Sequence, residues 1–113
     1  MPPLGRTPLI SLRGLLGRWG GGARPAPLEL TCYGKADCSL CDKAKKPIAR
    51  LVRASGGRIV AHWVDIQSDA ALMARWGERI PVVCAGDRVL AEGKISEVWL
   101  RREIEAWRRE GGE

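Results

Sequence analysis

With 113 residues, 45% of them hydrophobic and 28% charged, the chain suits one domain with a small core and is neither disordered nor membrane-like in composition. No uninterrupted apolar run approaches the ~18 residues of a membrane span, so no transmembrane segment is expected. The net charge of +6 does not mark a nucleic-acid partner: Arg6, Arg13, Arg18 and Arg24 account for +4, and the remaining +2 is spread over several helix faces.

Residues 1–27 contain five of the seven prolines, six of the fourteen glycines and no acidic residue, and are expected to form a basic extension outside the core. Leu9, Leu12, Leu16 and Trp19 would line one face of a short helix there, although Gly14 and Gly17 weaken it by ~1 kcal/mol each. Three readings stay open for this stretch. It is an extension without a fold of its own or a mis-chosen start, a mitochondrial-type targeting segment if the source is eukaryotic, or a helix lying on a membrane surface. A secretory signal fits poorly, because Arg13 interrupts the apolar stretch.

The ordered domain is expected over residues 28–109. Residues 28–33 alternate as a strand does, and Cys38-Ser39-Leu40-Cys41 follows where the pattern turns helical. Cys41, Ala44, Ile48, Leu51 and Val52 then recur at helical spacing up to Ser55, where Gly56-Gly57 supplies a stop; Pro47 inside this helix predicts a kink. Residues 58–65 form an almost continuous apolar run, which predicts a strand covered on both faces. A strand-helix-strand unit is a right-handed crossover, so the two strands should be parallel.

Ser68 is the expected N-cap of a short second helix, with Asp69 in its first turn, Leu72, Met73 and Trp76 as its apolar side and Gly77 as its stop. Residues 81–85 and 88–91 flank Gly86-Asp87 and predict an antiparallel hairpin. Ser96 can cap a last helix whose Leu100, Ile104 and Trp107 face the core while Arg101, Arg102, Arg108 and Arg109 face water; residues 110–113 are expected to be a disordered end.

Two thiols three residues apart at the start of a helix read as a redox pair. At Cys38 the unpaired backbone N–H groups and the positive end of the helix dipole favour the thiolate, and Cys41 lies one turn away on the same face, close enough to close a disulfide. Cys32 and Cys84 fall in apolar runs and read as buried small hydrophobes. Only the C-x-x-C pair is then left to cycle, which fits a reducing compartment: the cytoplasm, or the mitochondrion in a eukaryote. A closed zinc site needs four ligands, and beyond the pair only Cys32, Cys84 and His62 remain, all at strand positions, so no metal site is expected. His62 reads as a packed or edge histidine; Trp63, Trp76, Trp99 and Trp107 read as core and rim rather than a base-stacking surface.

In this order the elements resemble a glutaredoxin-like member of the thioredoxin-fold family, of the short kind, over residues 28–109. Three features carry the resemblance: the strand running through Tyr33-Gly34-Lys35-Ala36-Asp37-Cys38-Ser39-Leu40-Cys41 into a helix, the segment Arg79-Ile80-Pro81-Val82-Val83, and the closing hairpin and helix. It implies an α/β thioredoxin fold with a four-stranded mixed sheet and a thiol-disulfide oxidoreductase. Cys38 would be the nucleophile and Cys41 the resolving thiol, with no cofactor and with glutathione as reductant. Pro81 would be cis and lie against the disulfide. The Ile80 backbone would pair with an extended substrate, and Lys35 would assist glutathione binding and thiolate stability. The implied partners are a disulfide-containing protein or a glutathione mixed disulfide, acting on a monomer.

The sequence departs from the family pattern in three places. Ser39-Leu40 replaces the usual Pro-aromatic pair, and Asp37 places a like charge before the nucleophile. The double glycine followed by paired acids is reduced to Glu92-Gly93-Lys94-Ile95-Ser96-Glu97, where the N–H groups of Ser96 and Glu97 remain able to hold a carboxylate. Two other readings are carried: an iron-sulfur cluster shared between two chains with glutathione thiolates, and a non-catalytic interaction module.

Overall fold

Alternating burial along Leu28–Gly34 makes β1 the centre of the molecule: Leu28, Leu30, Cys32 and Gly34 are buried, and the residues between them are exposed or half-buried. A computed structural model describes residues 26–112. The N-terminal extension, with its Leu9, Leu12, Leu16 and Trp19 stripe, lies outside these apart from Ala26 and Pro27. After β1 come α1 (Ser39–Ala54), β2 (Ile59–Asp65), a 3-10 turn (Ile66–Ser68), α2 (Ala70–Trp76), β3 (Val82–Ala85), β4 (Arg88–Glu92) and α3 (Glu97–Arg109). The sheet order is β2-β1-β3-β4, with β2 parallel to β1 and the other neighbours antiparallel. This is the four-stranded mixed sheet expected.

The pleat sends the two kinds of β1 residue to opposite sides, and each side has its own core. Leu30 and Cys32 join Val83 and Ala85 under Ala44, Ile48 and Leu51 of α1 and Leu100, Ile104 and Trp107 of α3. On the other side Tyr33, Val82, Cys84 and Val89 meet Leu72 and Trp76 of α2 and Ile66. Cys41 and Ile80 belong to that second cluster, so the redox pair sits where the two cores meet at the end of β1.

Two expectations change. β2 is not covered on both faces: only Ile59 is buried, and His62, Trp63 and Asp65 are exposed. Its apolar run says nothing about neighbours, and the strand order leaves it at an edge. His62 is accordingly an edge histidine, its Nε2 3.0 Å from Glu29 Oε1 on β1. Nor does Ser68 cap α2. It completes the 3-10 turn capped by Asp65, and the α2 cap passes to Asp69, whose Oδ1 accepts the Leu72 N–H at 3.1 Å. The turn takes three residues before the helix begins, which shifts the start by one.

The glycine and cap signals at Gly56, Gly57, Gly86 and Ser96 act as read. Gly56 and Gly57 adopt φ of 63° and 90° after α1, and Gly86 adopts 59° in the hairpin. Pro47 lies buried inside α1. Ser96 caps α3, its Oγ accepting the Trp99 N–H. Beyond α3, Glu110 caps the helix and pairs with Arg88 across to β4, and the Gly112 N–H donates to Trp107 O at 2.9 Å.

Candidate redox-active site

Cys38 is the N-cap of α1, in extended backbone at φ −122° and ψ 107°, and its sulfur accepts the Cys41 N–H at 3.1 Å. A cap position normally supplies an oxygen to the orphan N–H groups of the first turn; here the Cys38 sulfur takes that place, and once the pair is reduced the same donors would stabilise a thiolate. Cys38 and Cys41 are joined as a disulfide with Cα atoms 5.2 Å apart. The two sulfurs differ in access. Cys38 is half-buried at the surface, whereas Cys41 is only 2% exposed.

The preceding loop is shaped by Asp37, which adopts φ 58°, a left-handed conformation that aspartate tolerates better than most residues. Ile80, in the same cluster as Cys41, is joined to Pro81 by a cis bond, with both side chains buried. It is anchored from several directions. Gly93 N–H donates to Pro81 O at 2.8 Å, and Arg79 forms a two-pronged pair with Glu92 at 2.9 and 2.8 Å. That hydrogen bond holds the Glu92 carboxyl below the usual carboxylate range. The Arg79 guanidinium also lies 4.9 Å from the centroid of Trp76, whose ring stacks on Tyr33 at 5.2 Å.

On the other flank of Cys41 a cleft of about 310 Å³ opens, lined by Lys35, Ala36, Asp42, Lys45, Trp63 and Asp65. Its floor is Gly34. A Cβ there would stand 3.1 Å from Trp63 Cζ3 and 3.3 Å from Cys41 Sγ, so the missing side chain lets the indole and the sulfur meet over β1. Gly34→Ala is expected to lower stability by roughly 1–3 kcal/mol through overpacking, read as a fall in Tm; an unchanged Tm would mean that Trp63 swings aside freely.

The residues singled out from sequence thus divide. Cys38, Cys41 and Ile80 share one cluster, Pro81 is buried next to Ile80 in the chain, and Lys35 borders the cleft beside Cys41. The Ile80 N–H is already donated to Trp76 O at 3.1 Å, so a substrate strand would meet the Ile80 carbonyl alone. Ser96 and Glu97 belong to neither the cluster around Cys41 nor the cleft. The Glu97 carboxylate pairs with Arg50 at 3.0 Å and Arg101 at 2.8 Å, filling the first turn of α3 with the chain's own negative charge. Sequence reading missed Trp63, Lys45 and Asp65 as neighbours of Cys41. The signal was the parallel register, which sets Asp65 opposite Gly34.

The remaining thiols are set apart. Cys32 and Cys84 are buried on opposite sides of the sheet, and burial pushes the Cys32 thiol up to about 12 and the Cys84 thiol upward as well. Among the described residues no three His, Cys, Asp or Glu side chains gather as a metal site would need. No helix among them is long and apolar enough to cross a membrane.

Several solved structures share this architecture. A structural-genomics target protein, XcR50 from X. campestris, is 33% identical, with 68% of this chain and 96% of that one covered at a TM-score of 0.57. Thioredoxin-2 of the malaria parasite, described as a component of its protein secretion machinery, is 18% identical, covering 71% of this chain and 82% of its own, with a TM-score of 0.56. A further malarial protein is also 18% identical, at 71% and 96% coverage and a TM-score of 0.55. These last two show the thioredoxin fold alone. No curated protein matches the chain. Residues 29–105 match the glutaredoxin-like domain (DUF836), and with the C-x-x-C disulfide at the head of α1 in a thioredoxin fold, the chain belongs to that glutaredoxin-like family.

Proposed function

We propose that the protein is a thiol-disulfide oxidoreductase that reduces disulfides of proteins or of glutathione adducts and is recharged by glutathione. The observation that carries this reading is the unequal placement of the pair: Cys38 caps a helix at the surface, and Cys41 is buried behind it. The Cys38 thiolate attacks one sulfur of a substrate disulfide, forming a mixed disulfide and releasing the other sulfur as a thiolate. Cys41, as thiolate, then attacks Cys38 Sγ, closes the 38–41 bridge and releases the second substrate thiol. Two electrons have passed to the substrate. Two molecules of glutathione return them and leave as the glutathione disulfide. Lys35, at the mouth of the cleft, favours an anionic thiol near the pair, and the Ile80 carbonyl is free to accept a hydrogen bond from an extended substrate. Ser96 and Glu97 have a lesser part, since the helix start they form already holds a carboxylate.

Equilibration of the protein in glutathione buffers of graded ratio, followed by alkylation with a mass tag, tests this. A reversible two-electron transition confined to Cys38 and Cys41 is expected, within the range of the glutathione pool, with Cys32 and Cys84 unlabelled until the protein unfolds. Absence of that bridge, or a bridge involving Cys32 or Cys84, would overturn the reading.

A further inference from the structure

Arginines far apart in the sequence meet at one place once the chain folds. A cleft of about 190 Å³ opens between the end of α1 and α3, floored by Leu51 and Ile59 and walled by Ser55, Arg58, Arg101 and Arg108. No acidic side chain lines it. Gly56 and Gly57, in left-handed backbone, turn the chain back over the end of α1, where the Arg58 N–H and Nε both donate to Ser55 O, at 3.3 and 3.1 Å. Of the carbonyls at that helix end, Val52 O accepts the Ser55 hydroxyl and Arg53 O the Gly56 N–H, so the negative end of α1 is largely covered.

The guanidinium groups keep donors to spare. Arg101 gives Nη2 to Glu97 at 2.8 Å and Arg58 gives Nε to Ser55 O, and each retains the rest of its fork of N–H groups. Arg108, about two turns further along α3 than Arg101, has no ion-pair partner among the described residues. Glu105 lies between these two in sequence, but it is outside the lining and pairs with neither. Lys46, Arg50 and Arg53 add to the same field: they are exposed, recur at helical spacing along α1, and Arg50 reaches across to Glu97 on α3. An anion seated among these groups relieves their mutual repulsion.

We propose that the cleft between the end of α1 and α3 binds the phosphoryl group of a phosphate monoester through Arg58, Arg101 and Arg108. Three guanidinium groups outnumber the oxygens of a carboxylate but match the terminal oxygens of a phosphoryl group, which also carries more charge. The cleft holds the share of liquid volume of about six waters, room for one such group and little more. Since α1 spans ~24 Å, the site stands apart from Cys38 at the other end of that helix and does not depend on the oxidoreductase reading.

The test is a titration of the full-length, isotope-labelled protein with phenyl phosphate, followed by magnetic resonance, with benzoate as the carboxylate control. At about 0.15 M ionic strength diffuse attraction is largely screened. The amide signals of Ser55, Arg58, Arg101 and Arg108 should shift saturably with phenyl phosphate, and the affinity for benzoate should be about tenfold lower or less. Arg58→Gln and Arg108→Gln should each weaken binding of phenyl phosphate about tenfold or more, and Arg108→Gln, which breaks no ion pair among the described residues, should leave Tm unchanged. Arg109→Gln, the next residue on α3 but outside the cleft, should bind as wild type. Cosedimentation with phosphatidylcholine vesicles carrying phosphatidate separates the two sources of such a group. Phenyl phosphate binding without vesicle binding supports a free ester; vesicle binding that Arg58→Gln and Arg108→Gln abolish supports a lipid headgroup. Equal affinity for benzoate, an equal loss in Arg109→Gln, or binding of neither phosphate probe would overturn the site and leave the oxidoreductase reading standing.

Discussion

Cys38→Ser is expected to lower disulfide reduction on the order of 10³-fold or more, the scale on which loss of a covalent nucleophile registers. A serine hydroxyl at the head of α1 would still cap the helix, so the fold should survive and the loss should be chemical. Cys41→Ser should behave differently. The bond to Cys38 Sγ comes from the backbone N–H of residue 41, which serine retains, so the attacking thiolate keeps its support. That variant should accumulate mixed disulfides with its substrates, visible as a mass increase or a band shift that a reducing agent reverses. Full activity in Cys38→Ser, or no trapped species in Cys41→Ser, would show that the pair does not work in this order.

Leu100→Ala should have the largest effect on stability. Its side chain is 0% exposed and packs with Ile104 and Trp107 of α3 against β1, β3 and α1. Removing it deletes buried apolar groups and leaves a cavity, a loss of about 3 kcal/mol or more in a well-packed site. In a domain of this size, that is a fall in Tm of roughly 10–20 °C, measurable by circular dichroism on heating. Leu100 belongs to the cluster under α1 and α3, whereas Cys41 and Ile80 belong to the one beside α2. The potential of the redox pair in the folded variant should therefore stay near wild type. A loss below about 1 kcal/mol would mean that α3 packs only loosely on the sheet.

Local and periodic signals were legible along the chain. The alternation of 28–33, the helical spacing after Cys38, the glycine pairs and the Gly86-Asp87 turn all act over a few residues and need no partner. The same holds for Cys38 at the head of α1: its position follows from where the pattern changes from period two to period 3.6. Burial of β2 was not legible, because an apolar run reports the residues and not the strand beside them. The shift of the α2 cap from Ser68 to Asp69 likewise depended on a turn whose only mark was Asp65 bonding to Gln67.

The sequence by itself determined which thiols form the pair, the order of elements and the parallel crossover, because short-range sterics and hydrophobic periodicity decide them. Tertiary structure alone decided what surrounds Cys41. Gly34 and Cys41 stand more than twenty positions from Trp63 and Asp65, and the two pairs meet only once β2 pairs with β1 in this register and α1 packs across them. Tertiary packing likewise gave the Ile80 N–H to Trp76 and the start of α3 to the chain's own Glu97. Such contacts are fixed by how distant segments share one core, which no window of neighbouring residues encodes.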